Sequence, residues 1–148
     1  AAAVGVSRTL DALAQDIGAA QVHAAVLRER LAGNAATSDG ADIAGIAGGG
    51  IDSSVSALRL VARAVDRRLE HLRLAAASEL EPARAEVLLV LRASLADFRW
   101  TIERIAQRPD LLDTGTEAGH ESELVRLDAT LRELDRATAA MASFDWAE

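Results

Sequence analysis

The sequence predicts an all-α chain, folded as one antiparallel four-helix bundle with coiled-coil-like heptad seams and a long glycine-rich loop between its first two helices. Three observations carry that expectation. Apolar residues recur in alternating steps of three and four along four separate tracts, which places them on one stripe of a helix. No stretch alternates apolar and polar residues between turn signals, as a half-buried strand would. The composition is 50% apolar but only 3% aromatic, so the core must be aliphatic and rich in alanine, the residue that loses no side-chain entropy in a helix. A chain of 148 residues suits a single domain, 1–148, able to bury a core.

The first helix is expected over about 7–32. Leu10, Leu13, Ile17, Ala20, Ala24, Leu27 and Leu31 share its seam, Ser7 is placed to cap the start, and Gly33-Asn34 signals the end. Residues 34–51 then read as a flexible loop. Its heart, "GADIAGIAGGGID", raises the question of a phosphate cradle, because backbone N–H groups at a helix start can bind an anion. A P-loop also needs a preceding strand and a lysine, and every Lys/Arg position here is arginine. Asp52 would itself fill the cap. Gly48, Gly49 and Gly50 therefore read as slack, with Ile43, Ile46 and Ile51 pinning parts of the loop to the bundle's end.

The second helix is expected over about 53–78, with Asp52 or Ser53 as cap and a seam through Val55, Leu58, Ala62, Val65, Leu69, Leu72 and Ala76. The third spans about 82–108, with Leu88, Leu91, Leu95, Phe98, Ile102 and Ile105 on its seam and Pro109 beyond its end. No glycine separates the two. Extending the second seam by sevens from Ala76 reaches Ala83 and Val90, out of step with Leu88 and Leu95. One straight stripe cannot serve both, so the chain should break near 79–81, with Pro82 at the first helical position where its missing N–H costs nothing. One long kinked helix is the alternative. A loop at 109–116, with Thr114 or Thr116 as cap, leads to the fourth helix, about 116–142, whose seam runs through Leu124, Leu127, Leu131, Leu134, Thr138 and Met141.

Charge and composition exclude several functions. A net charge of −7 repels nucleic-acid backbones, so no nucleic-acid partner is expected. The chain has no cysteine, which rules out disulfides, thiolate catalysis and zinc fingers. That leaves the compartment open, with the cytoplasm as the expectation. The longest apolar run, "VLLVL" at 87–91, is too short to span a bilayer. The start, "AAAVGVSR", has no basic leader and no methionine, so the chain is expected to be processed or cut from a longer one.

Few residues suggest chemistry. A di-metal bundle needs Glu-x-x-His on two helices. Only Glu117 and His120 fit, and His23 and His71 do not complete a set, so no metal and no cofactor is expected. Arg59, Arg63, Arg67 and His71 form a basic column on the second helix; Asp66 and Glu70 beside it suggest a locally paired, solvated face. No serine or threonine stands in a recognisable order with a histidine and a carboxylate, so no catalytic residue is assigned.

The third helix is unusual. Leu89, Ala93, Ala96 and Trp100, widened by Val90, form a second apolar stripe rotated away from its seam. Such a helix either touches two neighbours or lies in a splayed bundle where both stripes are core. Trp146, in the tail "SFDWAE", either docks on a similar groove or lies free. The function expected is a non-catalytic interaction or assembly module, self-associating or binding a partner protein through Leu89, Ala93, Ala96 and Trp100. The alternative is a ligand- or metal-binding bundle of the sensor or storage type, for which Ser94, Thr101 and Thr138 are the inward polar candidates.

Overall fold

Steps of three and four put one side chain per turn on the same face, and the structure buries those faces against each other. The computed structural model describes residues 2–36, 41–75, 81–107 and 117–146, with side chains described for 5–30, 52–74, 81–107 and 123–146. Among the described residues there are four helices and no strand: α1 (Ala2–Ala36), α2 (Ala41–Ala75), α3 (Pro82–Gln107) and α4 (Glu117–Ala142). Helix α1 packs chiefly on α2 and α4, and α3 packs on the same two.

The core is aliphatic. Leu13, Ile17 and Leu27 of α1, Leu58, Leu69 and Leu72 of α2, Leu91 and Ile102 of α3, and Leu127, Leu131 and Leu134 of α4 are buried, with Phe98 the one large aromatic among them. Burying each such side chain stabilises the fold by about 1.5–3 kcal/mol. Leu10, Ala20, Ala24, Val55, Ala62, Val65, Leu88, Leu95, Ile105 and Met141 are buried too; Leu124 is partly buried against them. Leu31 and Ala76 lie outside the described side chains.

Three expected boundaries are corrected. Helix α1 starts at Ala2, so Ser7 lies inside it rather than capping it. The cause is Val6, one turn before Leu10, which is buried and carries the apolar face back beyond the polar residue. The Gly33-Asn34 stop also fails, since α1 runs through to Ala36. Helix α2 begins at Ala41, not near 53. The expected loop 34–51 is thus mostly helix, leaving 37–40 between α1 and α2. Counting back from Val55 in steps of four and three meets Ile51, Gly48, Ala44 and Ala41. In the sequence these positions are mostly small residues, so the helical spacing there is not conspicuous. Each glycine costs a helix about 1 kcal/mol relative to alanine, which lowers stability here without ending the helix.

Helices α3 and α4 span Pro82–Gln107 and Glu117–Ala142, beside the expected 82–108 and 116–142. Helix α3 begins at Pro82, and the Glu81 carbonyl accepts the Ala85 N–H at 3.0 Å, which makes Glu81 the residue that opens the helix. Thr114, Thr116 and Pro109 lie outside the described residues. After α4 the chain turns back. The Trp146 indole donates to the Met141 carbonyl at 3.0 Å, and its ring meets Phe144 edge-on at 6.5 Å. The Arg84 guanidinium lies over both rings, 4.5 Å from Trp146 and 5.5 Å from Phe144, and donates to the Asp145 carbonyl at 3.0 Å. The tail therefore clamps the start of α3 to the end of α4.

Candidate interaction surface

At 3.6 residues per turn, two consecutive steps along a helix rotate by about 200°. Phe98 and Trp100 therefore face opposite ways. Phe98 is 0% exposed and Trp100 46%. Leu89 is 66% exposed, and Val90, Ala93 and Ala96 are exposed with it. The second apolar stripe is not core: the seam residues fill the interior and the stripe lies on the outside of α3.

Its edges are charged and ordered. On the α2 side, Arg59 holds Glu103 through two hydrogen bonds, 2.7 and 3.0 Å. Arg99 stands 3.9 Å from Asp66, and Arg92 stands 3.3 Å from Glu70. The bonds from Arg59 hold the Glu103 carboxyl below its ordinary range against a smaller opposing effect of burial. Arg73, bonded to Glu70, does the same there, helped by Arg92. On the α4 side, Arg104 pairs with Glu123 at 2.8 Å and Arg126 with Asp97 at 3.0 Å. Both guanidiniums also lie over the Trp100 ring, at 4.6 and 4.5 Å from its centre. Trp100 is thus an exposed aromatic held in one orientation.

The basic column divides. Arg59 is paired, whereas Arg63 and Arg67 are exposed and have no hydrogen-bond or ion-pair partner among the described residues. Arg63 borders an open cleft of about 350 Å³ between α2 and α3, together with Arg59, Arg99, Ile102 and Glu103. This cleft runs beside the stripe, because Arg99 and Glu103 flank Trp100 along α3.

Two of the three inward polar candidates hold hydrogen bonds within their own helices. The Thr101 and Thr138 hydroxyls donate to the Asp97 and Leu134 carbonyls of their own helices, each at 2.7 Å. Ser94 is buried with them. The side chains of Glu117 and His120 lie outside those described. Among the described residues no three His, Asp or Glu side chains group as metal ligands, and no helix is long and apolar enough to cross a membrane.

No protein-family model matches the chain, and no characterised protein or solved structure shows recognisable similarity to it. The reading of this surface rests on its own geometry. Two features of it were missed in the sequence. Arg104, four residues after Trp100, could have been found from helical spacing. Arg126 could not, because its place over Trp100 depends on how α3 and α4 align.

Proposed function

We propose that the chain is a non-catalytic helical interaction module that docks a helix of another protein chain on the outer face of α3. The observation that carries this reading is the exposed stripe of Leu89, Ala93, Ala96 and Trp100. Isolated exposed apolar residues mean little, but a stripe about 17 Å long on one helix face is a patch. Its shape suits a helix: two alanines at the centre allow close approach, and a leucine and a tryptophan stand at the ends. Tryptophan is frequent among residues that dominate binding energy. The arginines over Trp100 reduce the ordering cost that docking would otherwise carry.

The bundle beneath is proposed to be antiparallel with coiled-coil-like seams. The pairs support this. Asp16 meets Arg68 and Arg30 meets Ser54, so α2 numbers fall as α1 numbers rise. The same inversion relates α2 to α3 (Arg59 with Glu103, Glu70 with Arg92) and α3 to α4 (Asp97 with Arg126, Arg104 with Glu123).

The test combines light scattering with calorimetric titration of a synthetic amphipathic helical peptide carrying a Leu/Ala face and glutamine flanks. The wild type is expected to bind the peptide or a second copy of itself. Trp100→Glu should abolish that association while melting within a few degrees of wild type, since a surface change rarely costs more than about 0.5 kcal/mol. A monomer that ignores the peptide, or a variant that associates as before, overturns the reading.

A further inference from the structure

We infer that the partner of this face is an acidic amphipathic helix, whose apolar side lies on the α3 stripe and whose carboxylates meet Arg63 and Arg67. The inference rests on the docking reading above and adds the partner's chemistry. Its basis is charge. The chain is acidic overall, at −7, so cations without partners on its surface stand out. Arg63 and Arg67 are one turn apart on α2, and both are exposed. The carboxylates nearest in sequence, Asp66 and Glu70, are engaged by Arg99 and by Arg73 and Arg92. Glu103, the carboxylate lining the cleft that Arg63 borders, is held by both bonds from Arg59. The local acids are committed, and two guanidiniums remain.

Position makes those two guanidiniums useful. Arg63 and Arg99 border the same open cleft, and Trp100 follows Arg99 on the exposed side of α3. A helix lying along Leu89–Trp100 would present one flank to that cleft. Carboxylates spaced four residues apart on the flank match guanidiniums spaced four apart on α2, and guanidinium binds carboxylate through two parallel N–H donors. A lysine-flanked helix would meet like charge there, which is costly at an interface.

A second copy fits less well. A two-fold axis along α3 would set the α2 side of one copy on the α4 side of the other, where Asp97 and Glu123 are already paired with Arg126 and Arg104; an axis across α3 would set the two α2 sides together. In the second arrangement the Arg63–Arg67 column of one copy would run beside that of the other, with no carboxylate left to separate them. An acidic helix removes the same repulsion by filling it.

Three synthetic helical peptides, sharing one Leu/Ala face and flanked by Glu, Gln or Lys, test this by calorimetry with the intact chain. In low salt the Glu peptide should bind about tenfold or more tightly than the Lys peptide, a gap that shrinks as salt screens it. In the doubly substituted variant Arg63→Gln, Arg67→Gln that ratio should fall towards one, with affinity for the Gln peptide unchanged. Both positions are exposed, so the variant should fold, and its melting curve checks that it does. If the Glu and Lys peptides bind alike, the acidic partner is wrong while the docking face stands. If no peptide binds and the wild type is a dimer that Trp100→Glu splits, the occupant is a second copy and this inference falls. If no peptide binds and the wild type is a monomer, this inference and the docking reading fall together.

Discussion

Helix α3 carries two apolar stripes of similar length. Leu91, Leu95, Phe98 and Ile102 are buried; Leu89, Ala93, Ala96 and Trp100 are exposed. Their spacing alone does not separate them, since both follow steps of three and four. Their companions do. The inner stripe faces α2 and α4, whose buried Leu, Val and Ala side chains exclude water from it. The outer stripe is bordered by ion pairs, whose charged groups stay hydrated. A helix face becomes core when neighbours supply an apolar wall, and stays at the surface when they supply a charged rim.

The largest expected effect sets one stripe against the other. Phe98→Ala should cost about 3–5 kcal/mol, because it leaves a cavity among side chains that cannot fully close on it. Trp100→Ala should cost less than about 1 kcal/mol, chiefly the contact with Arg104 and Arg126. Urea unfolding of the two variants measures both. Equal losses would mean that the outer stripe is covered in solution, and would break the comparison.

This contrast also marks what the sequence made legible. The buried faces of the four helices could be read because large aliphatic residues recur on them one turn apart. The α2 start was hidden because residues 41–50 are mostly alanine and glycine, which show no apolar period to the eye although the helix begins at Ala41. The α1 start was hidden because Ser7 looks like a cap, while Val6 gives no warning that burial will extend the helix past it. The stripe of Leu89, Ala93, Ala96 and Trp100 was visible as a pattern. Whether it faced in or out was not, because that depends on what the other helices bring against it. Arg126 over Trp100 and Arg59 on Glu103 join residues far apart in sequence, and only the packing brings them together.

The second tryptophan sharpens the comparison from between its extremes. Trp146 is partly buried against the core, donates a hydrogen bond, and stacks under Arg84. Trp146→Ala should cost about 1–2 kcal/mol, more than Trp100→Ala and less than Phe98→Ala. Because the tail ties α3 to α4, faster amide exchange should appear first at Ala85–Leu88, measured by hydrogen exchange. A loss as small as that of Trp100 would mean the tail is not docked in solution.

The smallest expected effect separates the two faces by pH. The Glu103 carboxyl lies below its ordinary value of 4.5 because Arg59 bonds it. A carboxylate with a depressed value in the folded state contributes its stability above the unfolded value, and loses it as pH falls through the folded one. Both groups are exposed, so the contribution should be a few tenths of a kcal/mol, smaller still in high salt. Glu103→Gln should therefore be slightly less stable than wild type at pH 7, and the difference should close as pH drops below 4.5. Leu95→Ala, on the inner stripe, removes only apolar contact. Its deficit should stay the same through that interval when both variants are compared with wild type by urea unfolding. A Glu103→Gln deficit that does not change with pH would mean that Arg59 and Glu103 are not paired in solution, and that the rim beside Trp100 is looser than the structure draws it.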